Sequence, residues 1–192
     1  MGTFLTTDRL LLRHFTTEDA DHLVELDGDP RVMRFLTNGK PTPRTLIEND
    51  VLPRILRQYG EGPLGQWAAH ERATGDFTGW FALTPVDGSG PDGSGPYEAE
   101  LGYRLRAAHW GRGYATEASR ALIRKAFTEL GVQRIIAQTM AVNTASRRVM
   151  EKAGLTHVRT FHLHWDDPIP GTEHGEVEYE IVRSDWLRNA QR

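Results

Sequence analysis

Gly111 and Gly113 flank Arg112 in the stretch Trp110-Gly-Arg-Gly-Tyr-Ala-Thr-Glu-Ala118, whose residue types suit the binding of a phosphate. Glycine lets backbone N–H groups approach an oxyanion with no Cβ in the way, and the arginine can add a charge-assisted hydrogen bond. Such a stretch needs a helix behind it. The first N–H groups of a helix have no intrahelical acceptor, and the helix dipole presents partial positive charge there, so an anion belongs at that end. For two glycines alone, a strand-to-helix turn that requires positive φ is the alternative.

The flanking sequence predicts the required elements. Ala99, Leu101, Tyr103 and Leu105 alternate as in a strand, whereas Ala115, Ala118, Leu122, Ala126 and Leu130 recur at helical spacing and stop before Gly131. Upstream, Arg9 to Phe15 reads as a first strand, and the unbroken Leu10, Leu11 and Leu12 suggest burial on both faces. Thr16 and Asp19 form a shortened capping box ahead of a helix from about Glu18 to Asp27. Asp29-Pro30 opens a short helix, Arg31 to Leu36, and Thr45 to Tyr59 is helical with a kink or break at Pro53. Gln66 to Arg72 and Phe77 to Thr84 make a hairpin.

Downstream, Val132 to Thr139 is a buried strand, and Asn143 caps a helix that stops at Gly154. Thr156 to Trp165 pairs with Glu176 to Arg183, with Phe161, Leu163 and Trp165 on one face and His162, His164 and Asp166 on the other. The tandem repeat Asp87-Gly-Ser-Gly-Pro91 and Asp92-Gly-Ser-Gly-Pro96 has too little apolar surface to order itself and is expected to be a mobile loop. Its two aspartates are too few oxygen ligands for calcium. His162, His164 and His174 have spacing open to a metal, but surface polarity is the more frequent role of same-face strand histidines.

The stretch Trp110 to Ala118 resembles the pyrophosphate loop of the GNAT N-acetyltransferases, in the Trp-Gly form of the ribosomal-protein N-terminal (RimJ/RimL-like) branch. Trp110 stands where Arg or Gln is usual, and Gly113 and Ala115 fill the two small-residue positions. Three further segments resemble the branch in the same order: Thr7-Asp-Arg-Leu-Leu-Leu-Arg13, Glu100-Leu-Gly-Tyr103 and Asn143 to Leu155. The resemblance implies one α/β domain over residues 1–192, a mixed, mostly antiparallel sheet flanked by helices. In that fold the strands from Glu98 and Val132 splay apart to admit the pantetheine arm. It implies acyl-CoA, most simply acetyl-CoA, as co-substrate, bound by Leu105, Arg106, Gly111, Arg112, Gly113, Tyr114, Ala115, Thr116, Asn143 and Ser146. The acceptor implied is a primary amine, on a protein N-terminus or a small molecule. A larger acyl donor such as succinyl-CoA, and a silent acyl-CoA-binding module, are the rival readings; a homodimer is compatible with each.

A thioester is already activated, so the protein must supply position, a neutral amine and an acid for the leaving thiolate. Glu100, on the strand feeding the loop, is the candidate base, with Glu98 in reserve; a solvent-facing carboxylate beside buried Leu101 is the alternative. Many family members carry a tyrosine acid seven residues after the asparagine equivalent to Asn143, but this chain has Met150 there. Ser146 resembles the serine used in the ribosomal-protein branch, against the alternative of an ordinary first-turn serine. Asn143 has an N-cap role that is compatible with binding pantetheine. Glu117 is explained by the helix dipole, and Tyr103 and Trp110 by packing or the cofactor wall.

Composition sets the remaining bounds. The 192 residues carry a formal charge of −3, which gives no electrostatic case for wrapping a nucleic acid. No apolar run approaches the roughly 20 residues that span a bilayer, and Met1 to Thr7 lacks a signal-peptide pattern, so a cytoplasmic location is expected. With no cysteine, the chain has no disulfide, thiolate metal site or cysteine nucleophile, and transfer is expected to be direct.

Overall fold

The structure, a computed structural model, describes residues 2–89 and 97–190. Its strands and helices run in the order β1 (Thr3–Thr6), β2 (Leu10–His14), α1 (Ala20–Gly28), α2 (Arg34–Thr37), α3 (Arg44–Leu46), α4 (Leu52–Gln58), β3 (Gly65–Glu71), β4 (Phe77–Pro85) and β5 (Glu98–Leu105), followed by α5 (Tyr114–Thr128), β6 (Arg134–Met140), α6 (Thr144–Ala153), β7 (Thr156–Phe161), β8 (Glu176–Val182) and α7 (Arg183–Ala190). The strands form one mostly antiparallel sheet in the order β1-β2-β3-β4-β5-β6-β8-β7, with β5 and β6 parallel. By internal packing the chain divides into two compact units, Met1–Ala82 with Gly102–Ala118, and Leu83–Leu101 with Ser119–Arg192. No helix among the described residues is long and apolar enough to cross a membrane.

The first unit is built on Phe15, Leu23, Leu26, Ile47, Leu52, Ile55, Ala68 and Phe77. Strand β1 was not expected: four residues with two apolar side chains give no readable periodicity, yet Thr6 pairs with Leu11 and Phe4 stacks on Trp67 at 3.8 Å. Nor is β2 buried on both faces. Leu10 and Leu12 are fully buried and Leu11 only half, the alternation of a strand with one face on the core. Asp19 fulfils its capping role, accepting from the Thr16 N–H at 2.7 Å, and it also pairs with Arg13 at 2.7 Å.

Two expected boundaries shift in this unit. Asp29-Pro30 opens a turn, because the Asp29 carboxylate takes the Arg31 N–H at 2.9 Å, and α2 starts only at Arg34. Pro53 acts through the turn before it: Ile47–Val51 is π-helical, with Leu52 N–H reaching Ile47 C=O, and α4 starts at Leu52 with the proline in its first turn. The β3–β4 hairpin closes as expected, with Glu71 N–H on Asp76 C=O at 2.9 Å and Gly75 at φ +80°. Within β4, Gly79 is at φ +142°, and a Cβ there would lie 2.1 Å from the Arg104 carbonyl oxygen and 2.7 Å from Leu105 Cα.

In the second unit β6 pairs with β8 along its whole length, from Arg134↔Val182 to Met140↔Glu176. The parallel β5–β6 pairing has the register Glu98↔Arg134, Ala99↔Ile135 and Glu100↔Ile136. Leu122, Ile123, Ala126, Phe127, Ile135, Ala137, Tyr179 and Ile181 are buried, and Arg183 Nε closes on the Phe127 carbonyl at 2.8 Å. Strand β7 stops at Phe161, four residues before the expected end at Trp165. Its partner β8 begins at Glu176, after a short 3-10 turn at Thr172–His174 and Gly175 at φ +76°, so Phe161↔Glu176 ends the pairing. Of the Asp87–Pro96 repeat, Gly90 to Pro96 lie outside the described residues; Ser89 Oγ donates to the carbonyls of Val86 at 2.7 Å and Glu98 at 3.1 Å.

Candidate functional site

After β5 the chain makes a 3-10 turn, Ala107–His109, and passes through Trp110 to the two glycines. Gly111 is at φ +73° and Gly113 at φ +81°, a region costly to any residue with a Cβ. A Cβ on Gly111 would meet nothing within 4 Å, so the backbone there faces open space. Helix α5 starts at Tyr114 and is 15 residues long, enough to present a dipole, and Glu117 N–H bonds the Gly113 carbonyl at 3.0 Å. A strand, a tight turn with both glycines left-handed and exposed, and a helix N-terminus therefore stand in sequence, an arrangement that fits a pyrophosphate.

Each predicted cofactor residue of this unit has a definite place. Arg112 is exposed between the glycines, Tyr114 is buried, and Ala115 and Thr116 are half-buried. The Leu105 side chain is buried, and its carbonyl accepts the Trp110 indole N–H at 2.8 Å, which gives the unusual tryptophan a role in closing the turn while its ring stays half exposed. Arg106 is held by Glu25 and by the Phe77 carbonyl, 3.3 Å away. His109, just ahead of the loop, is buried, and burial together with nearby Arg112 and Arg106 pushes its imidazole pKa down, favouring the neutral form.

Glu117 does more than complement the helix dipole. Its Oε1 accepts from Thr7 Oγ1 at 2.6 Å and from the Arg9 backbone N–H at 2.9 Å, and its Oε2 accepts Arg9 Nε at 2.6 Å. Arg9 Nη1 goes on to the carbonyl of Arg112 at 2.9 Å, and the guanidinium lies over the Tyr114 ring. Burial alone would push the Glu117 carboxyl up, but the bonds from Thr7 and Arg9 outweigh it and hold the group below its ordinary pKa. Sequence reading missed Arg9: the Thr7–Arg13 motif marked the segment, but nothing local connects it to a residue 108 positions away.

In the second unit Glu98 and Glu100 share one face of β5, separated by buried Ala99. Arg134 takes Glu98 at 2.8 Å and Glu180 at 2.8 Å, and Arg159 takes Glu178 at 2.9 Å. Among the described residues Glu100 has no cationic partner. Burial pushes its carboxyl above the usual range, and the negative charge of Glu178 adds to the shift. Asn143 caps α6, accepting the Ser146 N–H at 3.2 Å and donating to Thr139 Oγ1 at 3.0 Å. Ser146 is half-buried in the first turn, and Met150, in the position where a tyrosine acid is common, is buried in the core. His164 is exposed, His162 Nε2 lies 3.4 Å from the Glu173 carbonyl oxygen, and among the described residues no group of three or more His, Cys, Asp or Glu is placed to hold a metal.

Residues 9–156 match the family described as an acetyltransferase (GNAT) domain. The chain is 40% identical over 187 residues to an FsC-acetyl coenzyme A-N(2)-transacetylase of Aspergillus fumigatus, covering 96% of this chain and 78% of that one. It is 26% identical over 191 residues to a putative ribosomal N-acetyltransferase of Bacillus subtilis, 97% of this chain and 98% of the relative. Among solved structures, a GNAT-family acetyltransferase from Bacillus anthracis superposes with a TM-score of 0.72 at 25% identity, covering 94% of this chain and 98% of that one. The glycine turn that opens α5 thus stands inside a matched domain that spans most of the sequence, and the chain belongs to the GNAT acetyltransferase family.

Proposed function

We propose that the protein transfers an acetyl group from acetyl-CoA to a primary amine by direct attack, and that it belongs with the ribosomal-protein N-terminal branch of its family. The observation that carries the cofactor assignment is the left-handed pair Gly111 and Gly113, with open space where a Gly111 Cβ would be, at the start of a 15-residue helix. There the pyrophosphate would receive the N–H groups of Gly111 to Thr116 and the charge of Arg112. The amine nitrogen forms the new bond to the carbonyl carbon, the carbon–sulfur bond breaks, Glu100 takes the amine proton and releases it to solvent, and Ser146 gives a proton to the thiolate as it takes one from solvent. The half-buried, cation-free state of Glu100 supports it over Glu98, which Arg134 already holds. The Trp-Gly form of the loop supports the branch, and the relative named as acting at an N(2) position supports nitrogen as the acceptor atom.

The experiment is a panel of amine acceptors with acetyl-CoA, including peptides with free N-termini and small-molecule amines, following free thiol and product mass. Amine-dependent thiol release with a product heavier by one acetyl group is expected. CoA binding without turnover on any acceptor class would leave a binding module as the better description.

A further inference from the structure

Glu117 poses an electrostatic problem for the loop. A carboxylate in the first turn of α5 stabilises the helix, but it also cancels part of the positive potential that would attract an anion to the same end. Arg9 removes that conflict. Its Nε, at 2.6 Å, and its Nη2, at 2.6 Å, both meet Glu117 Oε2, while the Arg9 backbone N–H and Thr7 Oγ1 occupy Oε1.

The third nitrogen has a separate effect. Nη1 holds the carbonyl of Arg112 at 2.9 Å, and that carbonyl belongs to the same peptide unit as the N–H of Gly113. A trans peptide is planar, with its C=O and N–H pointing in opposite directions. Pulling the oxygen toward Arg9 therefore turns the Gly113 N–H away from Arg9. The guanidinium is itself fixed, stacked 4.6 Å over the Tyr114 ring, and its Nη2 lies 3.5 Å from where a Gly113 Cβ would be.

We propose that Arg9 is a positioning residue for acyl-CoA: it neutralises Glu117 and sets the direction of the Gly113 N–H, so that both the charge and the donors of the loop remain available to the pyrophosphate. The inference rests on the reading that Gly111 to Thr116 binds that group. The test uses the full chain and the variants Arg9→Ala, Arg9→Lys and Arg9→Ala with Glu117→Gln. CoA affinity is measured by calorimetry, KM and kcat with acetyl-CoA are measured at saturating acceptor, and melting temperature is recorded without ligand.

Arg9→Ala should raise both Kd for CoA and KM for acetyl-CoA by about tenfold, with kcat within about twofold. Arg9→Lys, which keeps the charge and loses the fork, should fall between, and it carries the test if the alanine variant does not fold. Adding Glu117→Gln to Arg9→Ala should recover part of the affinity even though it restores no bond. Wild-type CoA affinity in the Arg9 variants, or a lower melting temperature with unchanged KM, overturns the role. A wild-type chain that does not bind CoA overturns the loop reading itself, whereas wild-type binding with unaffected variants removes only Arg9 from it.

Discussion

Glu98 and Glu100 stand two residues apart on β5, and Arg134 occupies the first while burial and Glu178 act on the second. The folded-state pKa of Glu100 lies above its unfolded value, so the folded protein binds this proton more tightly. The resulting stabilisation is complete below the unfolded carboxylate pKa and is lost as pH rises through the folded one. Above the folded pKa the ionised carboxylate is then a cost to the fold. Glu100→Gln should melt at or above the wild-type temperature at neutral pH, and the gap should close toward pH 4. Turnover should nevertheless fall, on the order of 100-fold, and the acidic limb of the kcat/KM profile should flatten. A variant that melts lower at pH 7, or keeps full turnover with chemistry rate-limiting, would remove Glu100 from the role of base. Ser146→Ala should lower turnover with CoA affinity kept, and a thioester with a more acidic thiol should partly restore the rate. Alternation puts both carboxylates on one face and gives neither a partner, so the sequence prefers Glu100 only by its position and the family resemblance; Arg134 reaches Glu98 only through the β5–β6 pairing.

Among the elements, signals that act within a few residues were readable and those that depend on a distant partner were not. The glycine turn into α5, the β3–β4 hairpin and the limits of α6 at Asn143 and Gly154 follow from local chemistry: positive φ, a tight turn and a cap. The length of β7 is not legible locally because it is set by where β8 begins, 15 residues beyond Phe161. Gly79 belongs to the same class, since nothing around it in sequence announces that the β5 backbone passes so close. Gly79→Ala should cost more than about 3 kcal/mol, through positive φ and a Cβ placed against backbone that cannot yield cheaply. Gly102→Ala is the control: its Cβ would meet the Trp80 ring at 3.5 Å, ordinary contact. Chemical denaturation of both variants checks the pair, and equal midpoints would show that β4 shifts to absorb the methyl group.

At the scale of the whole molecule, neither compact unit is a continuous run of chain: the first takes Gly102–Ala118 after an excursion through Leu83–Leu101, and the second resumes at Ser119. This matters during synthesis, when the chain emerges from its N-terminus. Thr7 and Arg9 leave the ribosome more than a hundred residues before Glu117, the carboxylate that holds them. At about 5–20 residues per second that delay is roughly 5 to 20 seconds, long compared with the formation of a hairpin. During it β1 and β2 lack that anchor. Nascent chains stalled with Glu117 still unsynthesised should therefore stay protease-sensitive around Thr7 and Arg9, and chains stalled well beyond Ala118 should become resistant. Resistance already present in chains ending at Trp110 would show that the N-terminal segment completes its fold without the loop. Otherwise the acquisition of the phosphate-binding turn and the locking of the N-terminus are one event in the life of each new chain, timed by the emergence of a single glutamate.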